Sequence, residues 1–201
     1  MKYIAYSMVL VCACAVVLGC GSGVKRVDSN EVIDLSGKWN DTDSRLVSEE
    51  MIKDVLTRPW ISNYQSSHSG KMPNVIVGTV ANRSHEHINT QTFIKDLERE
   101  LINDGRVSFV ASKAERSEIR DERRDMNTGF VSSETTKKFG AEIGADFMLQ
   151  GAINTITDAT SGEHVMFYQI DLELINIETS QKAWIGTKKI KKNISRDAVG
   201  L

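Results

Sequence analysis

All three cysteines of this 201-residue chain, Cys12, Cys14 and Cys20, lie at or before position 20. No disulfide can brace what folds after Cys20, so the fold must be held by an apolar core alone. The same distribution excludes a cysteine nucleophile or a cysteine-ligated zinc from the body of the chain. One lysine, Lys2, precedes an uncharged, mostly apolar run that ends at Leu18. That run is too short and too abruptly ended for a membrane span and has the form of a signal peptide. Val17-Leu18-Gly19-Cys20 has the form of a lipobox: two aliphatic residues, a small one, then the cysteine that receives lipid. Residues 1–19 are therefore expected to be removed as a signal peptide, taking Cys12 and Cys14 with them. Cys20 is expected to carry a diacylglycerol and an N-acyl chain, with no other cofactor implied. Each buried acyl CH₂ contributes about 0.8 kcal/mol, so a multiply acylated cysteine is a permanent anchor. Glycine rather than aspartate at position 21 favours the outer membrane, with the domain facing the periplasm.

The formal net charge of −2 argues against a general nucleic-acid binder, as does a periplasmic location. Lipidated Cys20 and the small, polar stretch that follows it make residues 20–33 a short tether. That stretch, GSGVKRVDSNEVI, reaches roughly 45 Å when extended and about 20 Å as a coil. Residues 34–201 remain as a single globular domain.

Along that domain the first helix opens in NDTDS (residues 40–44), which is rich in N-capping types. Val47, Met51 and Val55, with Ile52, form its apolar stripe, and it stops before Pro59. Trp39, Asn40 and Asp41 suit either a cap for this helix or a contact surface. A polar loop, NYQSSHSGKMP (residues 63–73), is expected next. NVIVGTV (residues 74–80) reads as a buried strand. A helix follows, with Phe93, Ile94, Leu97, Leu101 and Ile102 on one face and Gly105 as its stop. Asn89 suits its N-cap, with Ile88 and Phe93 as a hydrophobic staple.

The stretch between them, VANRSHEHINT (residues 80–90), is the most chemical-looking in the chain. His85 and His87 flank Glu86, yet no H-x-x-x-H or carboxylate cluster stands nearby at ligand spacing. The loop reads as a joint between strand and helix, and Asn82, Arg83 and Glu86 are its candidate contact residues.

RVSFVAS (residues 106–112) reads as a strand, and KAERSEIRDERRDM (residues 113–126) as a charged helix. At 100° per residue Lys113, Arg116, Arg120, Arg123 and Arg124 fall on one side and the acids on the other. This is either a solvated face or an electrostatic contact surface that a partner neutralises. Arg116, Arg120 and Arg124 are the candidates for such contacts. Ser132 and Ser133 suit the cap of a short helix with Phe139 and Ile143, stopped by Gly144. Strands are then expected over residues 145–156, 164–179 and 182–194. The middle one alternates Met166, Tyr168, Ile170, Leu172 and Leu174 with polar positions, as a half-buried antiparallel strand does. The last carries Lys188, Lys189, Lys191 and Lys192, which suit edge protection or a basic binding patch. The element order implies an α/β (α+β) domain: a mixed, mostly antiparallel sheet with helices packed mainly on one face.

Catalytic motifs do not stand out. Within residues 34–201 there is no G-x-S-x-G elbow, no P-loop and no Ser-x-x-K. The carboxylates sit in charged helices rather than isolated in apolar surroundings, where a pKa would be tuned. A binding protein, not an enzyme, is the expectation.

Two segments go further. DLSGKWNDTDSRLVSEEMI (residues 34–52) and GTVANRSHEHINTQTFIKDLERELINDGRVSFV (residues 78–110) resemble the LpoB family, lipoprotein activators of class A penicillin-binding proteins. GAEIGADFMLQGAINTI (residues 140–156) fits the same family. The resemblance implies a fold similar to the N-terminal domain of TolB. It also implies docking onto a bifunctional peptidoglycan synthase and stimulation of its two activities, with effects on cell-wall biogenesis and cell shape. Better-known members of that family carry a long proline-rich tether, which residues 21–33 do not supply. The resemblance brings no catalytic motif. The competing expectation is a structural or assembly lipoprotein similar to curli-type secretion lipoproteins, although the amphipathic hairpins that such channels need are not evident here.

Overall fold

The structure is a computed structural model that describes residues 23–128, 132, 134 and 142–195. Ile33–Leu201 form one compact unit and Met1–Val32 another. The expected signal peptide and Cys20 lie outside the described residues. So does most of the short helix expected after Ser132.

The larger unit runs α1 (Asp41–Thr57), α2 (Trp60–Ser67), β1 (Asn74–Asn82), α3 (Gln91–Asp104), β2 (Ser108–Phe109), α4 (Lys113–Met126), β3 (Phe147–Thr160), β4 (Glu163–Asn176) and β5 (Lys182–Ser195). The sheet order is β2-β1-β3-β4-β5. β1 is parallel to both β2 and β3, whereas β3-β4 and β4-β5 are long antiparallel pairs. This is the mixed, mostly antiparallel sheet expected from the sequence.

One face of the sheet makes the core. Leu149 and Ile153 of β3, with Tyr168, Ile170, Leu172 and Leu174 of β4, meet Val47, Met51 and Val55 of α1 and Phe93, Ile94, Leu97 and Leu101 of α3. Burying each such side chain contributes roughly 1.5–3 kcal/mol before chain entropy is charged against it. α1 starts at a capping box: Asn40 accepts from the Asp43 N–H, and the Asp43 carboxylate accepts from the Asn40 N–H. Along α1, Asp43, Glu50 and Asp54 meet Lys192, Lys188 and Trp184 of β5 in turn, binding helix to strand by polar contacts beside the apolar ones.

Four expectations need correction. Residues 63–73 do not form a loop throughout, because α2 occupies Trp60–Ser67. Pro59 ends α1 but suits the start of a new helix. Trp60 and Tyr64, one turn apart, then pack edge-on against Phe147 at 5.4 and 5.5 Å. The strand over residues 106–112 shrinks to Ser108–Phe109, because the chain leaves the sheet to enter α4 at the Ser112 cap. Ile102 is not on the buried face: it stands a further 100° round from Leu101 and is exposed. The N-cap of α3 falls at Thr90, although Asn89 Oδ1 still accepts from the Gln91 N–H and performs the capping bond.

Candidate functional site

In the β1–α3 loop several side chains hold the loop in shape. Asn82 Nδ2 donates to the Glu86 carbonyl at 2.7 Å, while Asn82 Oδ1 accepts from the Ser84 N–H at 3.0 Å. The Glu86 carboxylate turns inward. Its Oε1 accepts from the Tyr168 hydroxyl at 2.8 Å, and its Oε2 accepts from the Trp39 N–H at 2.9 Å. Burial, with Glu86 beside it, holds the Tyr168 phenol well above the ordinary tyrosine range.

Glu86 thus joins three distant pieces of chain: the loop, β4 and the segment 34–40 that precedes α1. That segment is pinned along its length. Trp39 packs edge-on against Tyr168 at 5.5 Å and donates from Nε1 to Ser44 Oγ. Lys192 Nζ donates to the Lys38 carbonyl at 3.0 Å. Asn40 Nδ2 bonds to Asp34. The first part of the segment 34–52 is therefore a structural strap, and Trp39 and Asn40 have a structural role.

Arg83 differs from its neighbours. Its side chain is exposed and has no partner among the described residues. It borders a shallow depression of about 380 Å³ with Thr79, Gln150, Asn154, Asp171 and Glu173, on the sheet face opposite the core. His85 and His87 are exposed as well. Among the described residues no group of three or more His, Cys, Asp or Glu is arranged to hold a metal.

The arginine helix forms as expected, capped by a reciprocal Ser112–Glu115 box. Its arginines have an intramolecular partner that helical spacing could not reveal. Arg120 grips the Glu142 carboxylate with two bonds of 2.8 Å. Arg123 approaches the same carboxylate at 3.5 Å and Arg116 at 4.0 Å. Hydrogen bonds from Arg120, with the surrounding guanidinium charges, hold Glu142 below the usual carboxylate range. One carboxylate against three guanidiniums leaves the cluster with excess positive charge. Arg124 points elsewhere and pairs with Asp121 one turn away. Among the described residues no hydrogen bond or ion pair joins the loop to this helix.

The family described as the peptidoglycan-synthase activator LpoB matches residues 43–190. None of the curated proteins compared matches the chain. Among solved structures, the LpoB C-terminal domain from Salmonella enterica is 15% identical, with 66% of this chain and 93% of that one covered, at a TM-score of 0.33. The LpoB C-terminal domain from Escherichia coli is 14% identical, with 66% and 98% covered and a TM-score of 0.33. Lipoprotein GNA1162 from Neisseria meningitidis is 13% identical, with 62% and 88% covered and a TM-score of 0.36. Among the described residues no helix is long and apolar enough to cross a membrane.

Proposed function

This chain belongs to the LpoB family of peptidoglycan-synthase activators, and from that premise we propose that its domain docks onto a class A penicillin-binding protein and activates it allosterically. The observation that carries the reading is the family match, which runs from inside α1 to inside β5 and so takes in the whole core. The chain contributes binding rather than catalysis. Activation of this kind is a coupling free energy: the domain binds the working arrangement of the synthase more tightly than the resting one. About 1.4 kcal/mol of differential affinity shifts that equilibrium tenfold. Lipid on Cys20 anchors the chain in the outer membrane, and the short tether keeps the domain near it.

Within this reading Arg83 meets the partner directly, while Asn82 and Glu86 fix the loop that presents it. On α4, Arg124 is the arginine whose loss disturbs the fold least; Arg116 and Arg120 also anchor the helix through Glu142. The deciding experiment measures glycan polymerisation from lipid II by the organism's own class A synthases, with and without soluble residues 21–201. Dose-dependent acceleration, weakened by Arg83→Glu, is the expected result. Neither acceleration nor binding with any of those synthases would sink the reading.

A further inference from the structure

β5 runs for 14 residues, Lys182–Ser195, at one edge of the sheet. It pairs only with β4, and beyond Trp184 the ladder is regular. Among the described residues no hydrogen bond outside that ladder reaches the backbone of residues 183–195. Its outer N–H and C=O groups are therefore without a partner among the described residues over a span of roughly 40 Å. Edges of this length are ordinarily blunted by proline, a bulge or inward-facing charge. No proline interrupts β5, and its one irregularity lies at the Lys182 end.

The lysines are what remains, and they divide by face. Lys188 and Lys192 point to the helix side and are neutralised within the chain by Glu50 and Asp43. Lys182 is paired with Glu173. Lys189 and Lys191, alternate residues on the opposite face, are exposed and unpartnered among the described residues. Ile185, on that same face, is 54% exposed. The strand contains no acidic residue. A second copy of β5 laid against this edge would place lysines against lysines, which is repulsive. A strand bearing carboxylates at alternate positions meets no such repulsion. The edge is closed to its own kind and open to an acidic partner.

We propose that β5 accepts an extended acidic segment of the synthase as an added strand. Main-chain hydrogen bonds supply the affinity, and Lys189 and Lys191 supply the selection. The proposal rests on the activator reading above. Its test is amide hydrogen exchange of the intact mature chain, free and bound to the organism's class A synthase. Strand addition slows every second amide between Ile185 and Ser195 by tenfold or more, a period that side-chain docking does not produce. The double variant Lys189→Glu/Lys191→Glu weakens binding about tenfold without moving the thermal midpoint, because both lysines are exposed and neither has a partner among the described residues. If the complex forms with those amides exchanging as in the free chain, β5 is only a protected edge and the activator reading stands. If no class A synthase binds, both readings fall together.

Discussion

The Lys192 ammonium lies 2.6 Å from the Asp43 carboxylate, joining the last strand to the first helix across 149 positions of sequence. Asp43 is nearly inaccessible, and Lys192 keeps only 15% of its side-chain exposure. The two partners are not equivalent. Removing the lysine strands a buried carboxylate, whereas Lys192 still has the Lys38 carbonyl at 3.0 Å and Asp34 at 3.5 Å. Lys192→Met should therefore cost about 2–3 kcal/mol, towards the lower end for a broken buried pair because the lysine is partly solvated. Asp43→Asn, which keeps an acceptor for the cap, should cost about 1 kcal/mol. Urea denaturation of the two variants checks the asymmetry, and equal losses would contradict it.

Glu86 gives a second prediction. Replacing it by alanine leaves the Trp39 N–H without its acceptor and the Tyr168 hydroxyl with only the Gly37 carbonyl at 3.3 Å, a loss of about 2 kcal/mol. Tyr168→Phe removes only one donor and should cost about 1 kcal/mol. The double variant should lose less than the sum, since the two residues share a bond. Additive losses in a double-mutant cycle would show that the bond contributes nothing.

These two contacts also show where the sequence could be read and where it could not. Apolar spacing in α1, α3 and β4 locates the core, Ile102 excepted, because a helix or strand records its buried face in its own local period. Lys192–Asp43, Glu86–Tyr168 and the arginines on Glu142 are pairings between separate elements, and no local period encodes them. α2 was missed for a related reason. Its buried residues, Trp60, Ile61 and Tyr64, make little more than one turn of pattern, and the polar serines that follow them read as loop. The lysines of β5 are legible as an edge signal, but the pairing of Lys188 with Glu50 and of Lys192 with Asp43 is set by how α1 packs on the strand.

Close backbone packing separates two glycines. A Cβ at Gly151 would overlap the Asp171 carbonyl oxygen and come within 3.0 Å of the Leu172 Cα, both main-chain atoms held in the β3–β4 ladder. A Cβ at Gly37 would overlap the tip of the Ile194 side chain, which can rotate away. Gly151→Ala should cost roughly 3 kcal/mol and Gly37→Ala about 1 kcal/mol, as overpacking against fixed and movable neighbours respectively. Thermal unfolding ranks them, and a milder effect at Gly151 would refute the argument.

Glu142 makes the last prediction one of pH. Its folded-state pKa lies below the ordinary glutamate value of about 4.3, chiefly through the hydrogen bonds from Arg120. A depressed carboxylate binds protons more weakly folded than unfolded. Its contribution is fully present above the unfolded value and is lost as the pH falls through the folded one. As the pH falls through that lowered value, the negative charge facing Arg116, Arg120 and Arg123 disappears. Three guanidiniums at positions i, i+4 and i+7 are left to repel one another on one helix face. Glu142→Gln should reproduce that state at neutral pH. Amides of α4 should exchange faster in the variant while those of β3 and β4 do not, and the thermal midpoint should fall less steeply with acid than in the parent. Unchanged protection of α4 together with an unchanged acid slope would mean that the arginines hold the helix without Glu142, leaving all three available to a partner.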